Sequence, residues 1–150
     1  MAVRKRTQPI VGIGALLVAI VVGTLVMFGA KEPETAHSVS SDGFVTVSGE
    51  AAPSLGALSV TRRDDAEALD VGPAYEISLG GLPVPSGFQI LMGYEADALA
   101  GVAPNRLSVF AYDVSAQKWI AISSVVDPGA RTVVAESNGV EAILWTLGAR

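Results

Sequence analysis

One apolar run stands apart from the rest of the chain. Residues 10–30, IVGIGALLVAIVVGTLVMFGA, carry no charge, and Arg4, Lys5 and Arg6 precede them. At about 1.5 Å per helical residue this run reaches roughly 31 Å, close to the roughly 30 Å of bilayer hydrocarbon. Lipid offers backbone amides no partner, so the run predicts a transmembrane helix. The basic flank assigns the N-terminus to the cytoplasm and the remaining chain to the extracytoplasmic side. A cleaved signal peptide begins in the same way, but its apolar core is about 7 to 15 residues and ends in a small-x-small site. Here Phe28 lies two places before Ala30, and Glu34 two places before Ala36, where a small side chain is wanted. The pattern therefore favours an uncleaved single-pass signal-anchor.

After this run the periodicity changes. Residues 31–43, KEPETAHSVSSDG, are polar and turn-rich and read as a flexible spacer. From residue 44 onward, short apolar stretches alternate with Gly, Pro, Asp and Ser clusters, the form that strands and turns take in sequence. Eight strands are expected, over 44–48, 57–61, 74–79, 88–94, 106–112, 118–123, 132–136 and 141–147. Leu107 to Tyr112 alternates between two faces and Lys118 to Ile122 returns after a short turn, which predicts a hairpin. Asp127-Pro128-Gly129-Ala130 predicts a second turn, since proline presets one dihedral and glycine accepts positive φ. Only residues 94–102 hint at a helical turn, cut short by Gly101 and Pro104.

The fold class follows: a single N-terminal transmembrane α-helix and then an all-β antiparallel β-sandwich. The expected organisation is a cytoplasmic tip (1–9), a transmembrane anchor (10–30), a flexible spacer (31–43) and an extracytoplasmic sandwich (44–150). Within the anchor, Ala15, Ala19 and Gly23 recur every four residues and offer a face for homodimerisation.

Composition narrows the function. Three of the ten basic residues lie in the tip and all fifteen acidic ones lie beyond it, leaving the outer portion a net charge of about −8. Such a surface argues against nucleic acid, whose phosphates need basic groups. Cysteine is absent, which removes disulfides, thiol catalysis, thiolate metal sites and a lipid-modified anchor together.

Residues 75–147 carry a family resemblance. Tyr75-Glu76-Ile77-Ser78, Gly81-Leu82-Pro83, the strand ending in Tyr94, Leu107 to Asp113, Lys118-Trp119 and Val126-Asp127-Pro128 are its matching residues. Through them the stretch resembles the β-sandwich domain of zona-occludens proteins and netrin receptors, which recurs in bacterial surface proteins. The resemblance implies an extracellular sandwich that presents itself to, or braces, other proteins. Some members of that family cut their own backbone at a His-Phe-Ser step. Gly139-Val140-Glu141 stands at the corresponding place here, without the hydroxyl nucleophile or the histidine, so self-cleavage is not carried over.

The candidate chemistry is sparse. The single histidine, His37, falls in the spacer, where no scaffold positions it for a triad. One histidine without cysteine does not make a zinc site. Asp64, Asp65, Glu67 and Asp70 are nominal calcium ligands, but their spacing is not that of a calcium-binding hand, and Arg62 and Arg63 adjoin them. Glu95 and Asp97 are the nearest approach to a glycosidase carboxylate pair, but as adjacent loop acids they show no cleft between them. Trp119 and Trp145, both on strands, are expected in the core rather than stacked on sugars.

No catalytic, cofactor or metal residue is therefore assigned. The sequence predicts a membrane-anchored, non-enzymatic structural or protein-interaction module at the cell surface. Its partners would be the lipid bilayer, through residues 10–30, and an envelope or surface protein. The alternative is an exported carbohydrate-binding or hydrolytic domain using surface carboxylates.

Overall fold

The computed structural model describes residues 32–150. The expected anchor over 10–30 and its Ala15, Ala19, Gly23 face lie outside them. Among the described residues no helix is long and apolar enough to cross a membrane.

Ten strands form, in chain order β1 (Glu34–Val39), β2 (Val45–Ala51), β3 (Leu58–Arg63), β4 (Ala74–Leu79), β5 (Gln89–Gly93), β6 (Leu107–Asp113), β7 (Lys118–Ile122), β8 (Ser124–Asp127), β9 (Thr132–Glu136) and β10 (Leu144–Ala149). They make two five-stranded sheets, ordered β1-β2-β5-β9-β8 and β3-β4-β10-β6-β7. Every neighbouring pair is antiparallel. The helical elements among these residues are short 3-10 turns over Pro53–Leu55, Ala96–Leu99 and Pro104–Arg106. The all-β, two-sheet expectation holds for this part of the chain.

Alternation decides what each strand buries. In the first sheet Val45, Val47, Ile90, Met92, Val133 and Ala135 face inward; in the second, Val60, Tyr75, Ile77, Val109, Ala111, Trp145 and Leu147 do. The two sets meet in one core, with Trp145 and Phe88 as its largest fully buried side chains. Removing this apolar surface from water is the main stabilising term, on the order of 25 cal/mol per Å². Gly49 sits inward directly under the Phe88 ring, and a Cβ there would meet ring carbons at 2.6 to 2.8 Å. Glycine at this point of β2 makes room for the aromatic.

Two strands were not expected. The stretch read as a flexible spacer over 31–43 contains β1, which pairs along its whole length with β2, from Glu34↔Ala51 to Val39↔Thr46. The ordered sheets therefore begin at Glu34, not at residue 44. As an edge strand β1 needs only one satisfied side. Its inward positions Ala36 and Ser38 are small or polar, so it lacks the apolar signature of an interior strand. The other is β8. The chain leaves the second sheet after Ile122 and enters the first at Ser124, a switch hidden inside one apolar stretch. Ser124 fastens this crossing. Its hydroxyl donates to the Ile122 carbonyl at 2.7 Å and accepts the Val109 amide at 3.0 Å.

Trp119 also departs from expectation. β7 pairs with β6 in the register Tyr112↔Trp119 and Ala111↔Ile120, so Ile120 and Ile122 face the core and Trp119 faces out. There it is half-buried and packs edge-to-face on Tyr112, with ring centroids 5.2 Å apart. The run KWIAI carries apolar groups on both faces, and Trp119 fell on the outer one.

The loops gather at two ends. Residues 52–57, 80–87, 114–117 and 137–143 lie at the end where β1 starts. Residues 40–44, 64–73, 94–106 and 128–131 lie at the other, where the candidate site is found.

Candidate functional site

Strand alternation places Arg62 on the same inner face as Val60, one step from the end of the sheet. There it pairs directly opposite Tyr75 of β4. On the facing sheet, Val45 and Met92 pair at the corresponding edge, and Gly93 donates its amide to the Phe44 carbonyl at 2.7 Å. Between the two lies a cavity of about 210 Å³. Its buried walls are Val71, Tyr75, Met92, Tyr94 and Leu147, and Arg62, Glu95 and Ala98 stand exposed around it. The lining is dominated by aliphatic and aromatic side chains, as small-molecule and side-chain pockets are.

The polar group that organises one rim is Asp42. Ser40-Ser41-Asp42-Gly43 is a tight turn closed by the Gly43 amide on the Ser40 carbonyl at 2.9 Å, and the Ser40 amide donates to the Val45 carbonyl at 2.8 Å. Asp42 Oδ1 accepts from the Ser40 hydroxyl at 2.6 Å and the Phe44 amide at 3.1 Å. Its Oδ2 accepts from the Tyr75 hydroxyl at 2.9 Å and from Arg62 at 3.5 Å. Burial opposes charge on this carboxyl, but the bonds from Ser40, Phe44, Tyr75 and Arg62 together hold its pKa below the ordinary 3.8. Burial, followed by the bond to Asp42, pushes the Tyr75 phenol above its ordinary 10.0. One sheet is thus tied to a loop of the other across the cavity mouth.

Among the described residues, two buried side-chain polar atoms have no protein partner: the Tyr94 hydroxyl, on a residue that lines the cavity, and the Trp145 indole N–H in the core. An unmade bond at a buried donor costs about 1–3 kcal/mol.

The nominal calcium ligands do not converge. Arg62 Nε donates to Asp64 at 2.7 Å, while Arg63 holds Asp65 through two bonds at 2.8 and 2.9 Å and also reaches Glu76. Consecutive residues of a strand face opposite sides, so the two arginines draw the two aspartates apart. The hydrogen bond from Arg63 is the main reason the Asp65 carboxyl falls to about 2. Glu67 and Asp70 are exposed farther along the same loop. Among the described residues no group of three or more His, Asp or Glu is placed to hold a metal ion. Glu95 and Asp97 are exposed at the start of the loop over the cavity, and His37 is exposed on the outer side of β1, opposite Ser48. Gly139-Val140-Glu141 lies in the β9–β10 loop at the far end. The nearby Ser137 hydroxyl is engaged there, donating to the Pro85 carbonyl and accepting the Phe88 amide.

Asp42, Tyr75 and Tyr94 were not singled out as site residues from sequence. The one local signal was the Ser-Ser-Asp-Gly turn. That its carboxylate meets Tyr75, thirty-three positions on, depends on the sheets being packed. Comparison with family models, curated proteins and solved structures finds no match for this chain.

Proposed function

We propose that this chain is a membrane-anchored, extracytoplasmic interaction module without catalytic activity, and that the cavity at the loop end of its sandwich receives an apolar group of a partner protein. The observation that carries the reading is the cavity itself: apolar walls drawn from both sheets, open to solvent, with Asp42, Arg62 and Tyr75 on one rim already committed to one another. A carboxylate held ionised by four hydrogen bonds and paired to an arginine is suited to holding a shape. It is poorly suited to taking and returning a proton near neutral pH. Anchoring rests on the charge-free run over residues 10–30 behind its basic flank.

A photoreactive amino acid placed at Ala98, beside the cavity, tests this in intact cells. Irradiation should give an adduct with a protein, and the same substitution at Ser115 in the β6–β7 turn should not. Crosslinks to glycan only, or equal labelling at both positions, would reject the reading in favour of a carbohydrate-directed or unspecific surface. Carbonate-washed membranes should retain the full-length chain. A soluble form beginning near Lys31 would reject the anchor.

A further inference from the structure

We infer that the partner group entering this cavity is an aliphatic or aromatic side chain carried on a cationic segment; the inference rests on the interaction reading above and names its chemistry. Size limits the occupant first. A cavity of roughly 150 Å³ lined by apolar groups takes up benzene, so about 210 Å³ accommodates one leucine or phenylalanine side chain and little more. A whole helix or a sugar chain does not fit such a space.

Charge then selects the carrier. Arg62 and Glu95 line the opening, Asp42 and Asp64 are bonded to Arg62, and Asp70 and Asp97 adjoin the lining residues Val71 and Ala98 in the chain. By the same adjacency Arg63 and Glu76 join the set, but Arg63 is bonded to Glu76 and Asp65 as Arg62 is to Asp42 and Asp64. Both guanidinium groups are thus already paired with carboxylates, and Glu95 on the lining has no cationic partner among the described residues, so the field at the mouth is negative. An anionic segment would meet uncompensated carboxylates there. A cationic one would be steered in, and its apolar side chain would supply the contact area. The loops forming the mouth, 40–44, 64–73 and 94–106, come from three different connections, so the opening is bounded on several sides.

Met92 is 1 % exposed and lines the cavity, which makes its methyl group an internal reporter. Full-length protein in a zwitterionic detergent, labelled at the methionine methyls, is titrated with three blocked pentapeptides. These are one leucine flanked by two lysines on each side, the same leucine flanked by glutamates, and glycine flanked by lysines. Met92→Leu assigns the signal. The lysine–leucine peptide should move the Met92 resonance, and its affinity should fall at least tenfold between 20 and 300 mM salt, as expected for exposed charges. The glutamate–leucine and lysine–glycine peptides should bind at least tenfold more weakly. The variant pair Glu95→Gln and Asp97→Asn should remove most of the salt dependence while leaving the melting temperature unchanged. Ala98→Trp should block the shift. Equal binding of the lysine and glutamate peptides, or no salt dependence, overturns the cationic assignment and leaves the interaction reading standing. If no peptide moves Met92 and benzene at saturation does not either, the cavity takes no apolar group and both fail.

Discussion

The Tyr75 hydroxyl donates a 2.9 Å hydrogen bond to Oδ2 of Asp42, joining β4 of one sheet to the β1–β2 turn of the other. This bond reaches an ionised acceptor, so its loss should be felt. Tyr75→Phe keeps the buried ring and removes only the donor. The expected cost is about 1.5 kcal/mol, the low end for bonds to charged groups, because Asp42 keeps its other donors. Urea unfolding of the described domain measures it. A change within error would mean that the bond contributes no net stability.

The same network sets the pH dependence. Asp42 and Asp65 both have carboxyls held below their ordinary 3.8, Asp65 at about 2. A carboxyl depressed in the folded state stabilises above its unfolded pKa, and that contribution fades as pH falls through the folded value. The melting temperature should therefore hold down to about pH 4 and then drop toward pH 2. Asp65→Asn, which cannot ionise, should flatten part of that decline. Tyr75 has the opposite sign. Its phenol is raised, so its contribution is complete below about pH 10 and is lost as pH rises into the alkaline range. Ultraviolet titration should show a tyrosine ionising above the ordinary range, and Tyr75→Phe should abolish that late step.

The two tryptophans should separate cleanly. Trp145 is fully buried between the sheets, and Trp145→Ala should cost about 3–5 kcal/mol, as large-to-small core changes do. Trp119 lies on the outer face against Tyr112, and Trp119→Ala should cost only about 1 kcal/mol, the scale of one aromatic pair. Comparable losses at the two positions would contradict the register of β7.

Removing β1 should destabilise the domain even though its sequence is polar. A chain starting at Ser40 keeps the Asp42 turn but leaves β2 as the sheet edge and removes Ala36, which pairs with Gly49 and packs against the core. Relative to a chain starting at Glu32, its melting temperature should fall by several degrees, about what a loss of one or two kcal/mol produces in a domain of this size. Equal melting of the two fragments would show β1 to be dispensable.

Much of the architecture was legible because it is local. The strands over residues 74–79 and 132–136 fall where alternation placed them. The two hairpin turns announced themselves by chemistry. Asp113 accepts the Ala116 amide and Asp127 the Ala130 amide, each at 3.0 Å, and each turn ends on a residue with positive φ, Gln117 or Arg131. What was not legible depends on neighbours far away in sequence. Glu34–Val39 is a strand because β2 offers it an open edge, and nothing in its own polar pattern says so. Trp119 could have faced either way until the β6–β7 register fixed its side. The cavity shows least of all in sequence. Arg62 reads as one of a run of charged residues, and comes to the cavity rim only because alternation continues two residues past Val60 and the sheet ends there.

The placement of the first and last strands has a mechanical consequence. β1 enters the fold at one end of the sheets, and β10 leaves at the other, where Ala149 pairs with Leu107. A pull on both ends of the domain runs along the strands. β1 would then have to slide past β2 with its ladder of hydrogen bonds loaded together, instead of peeling away one bond at a time. A weak-looking edge strand thereby becomes the element that bears tension first, and the domain should withstand stretching better than its modest edge packing suggests.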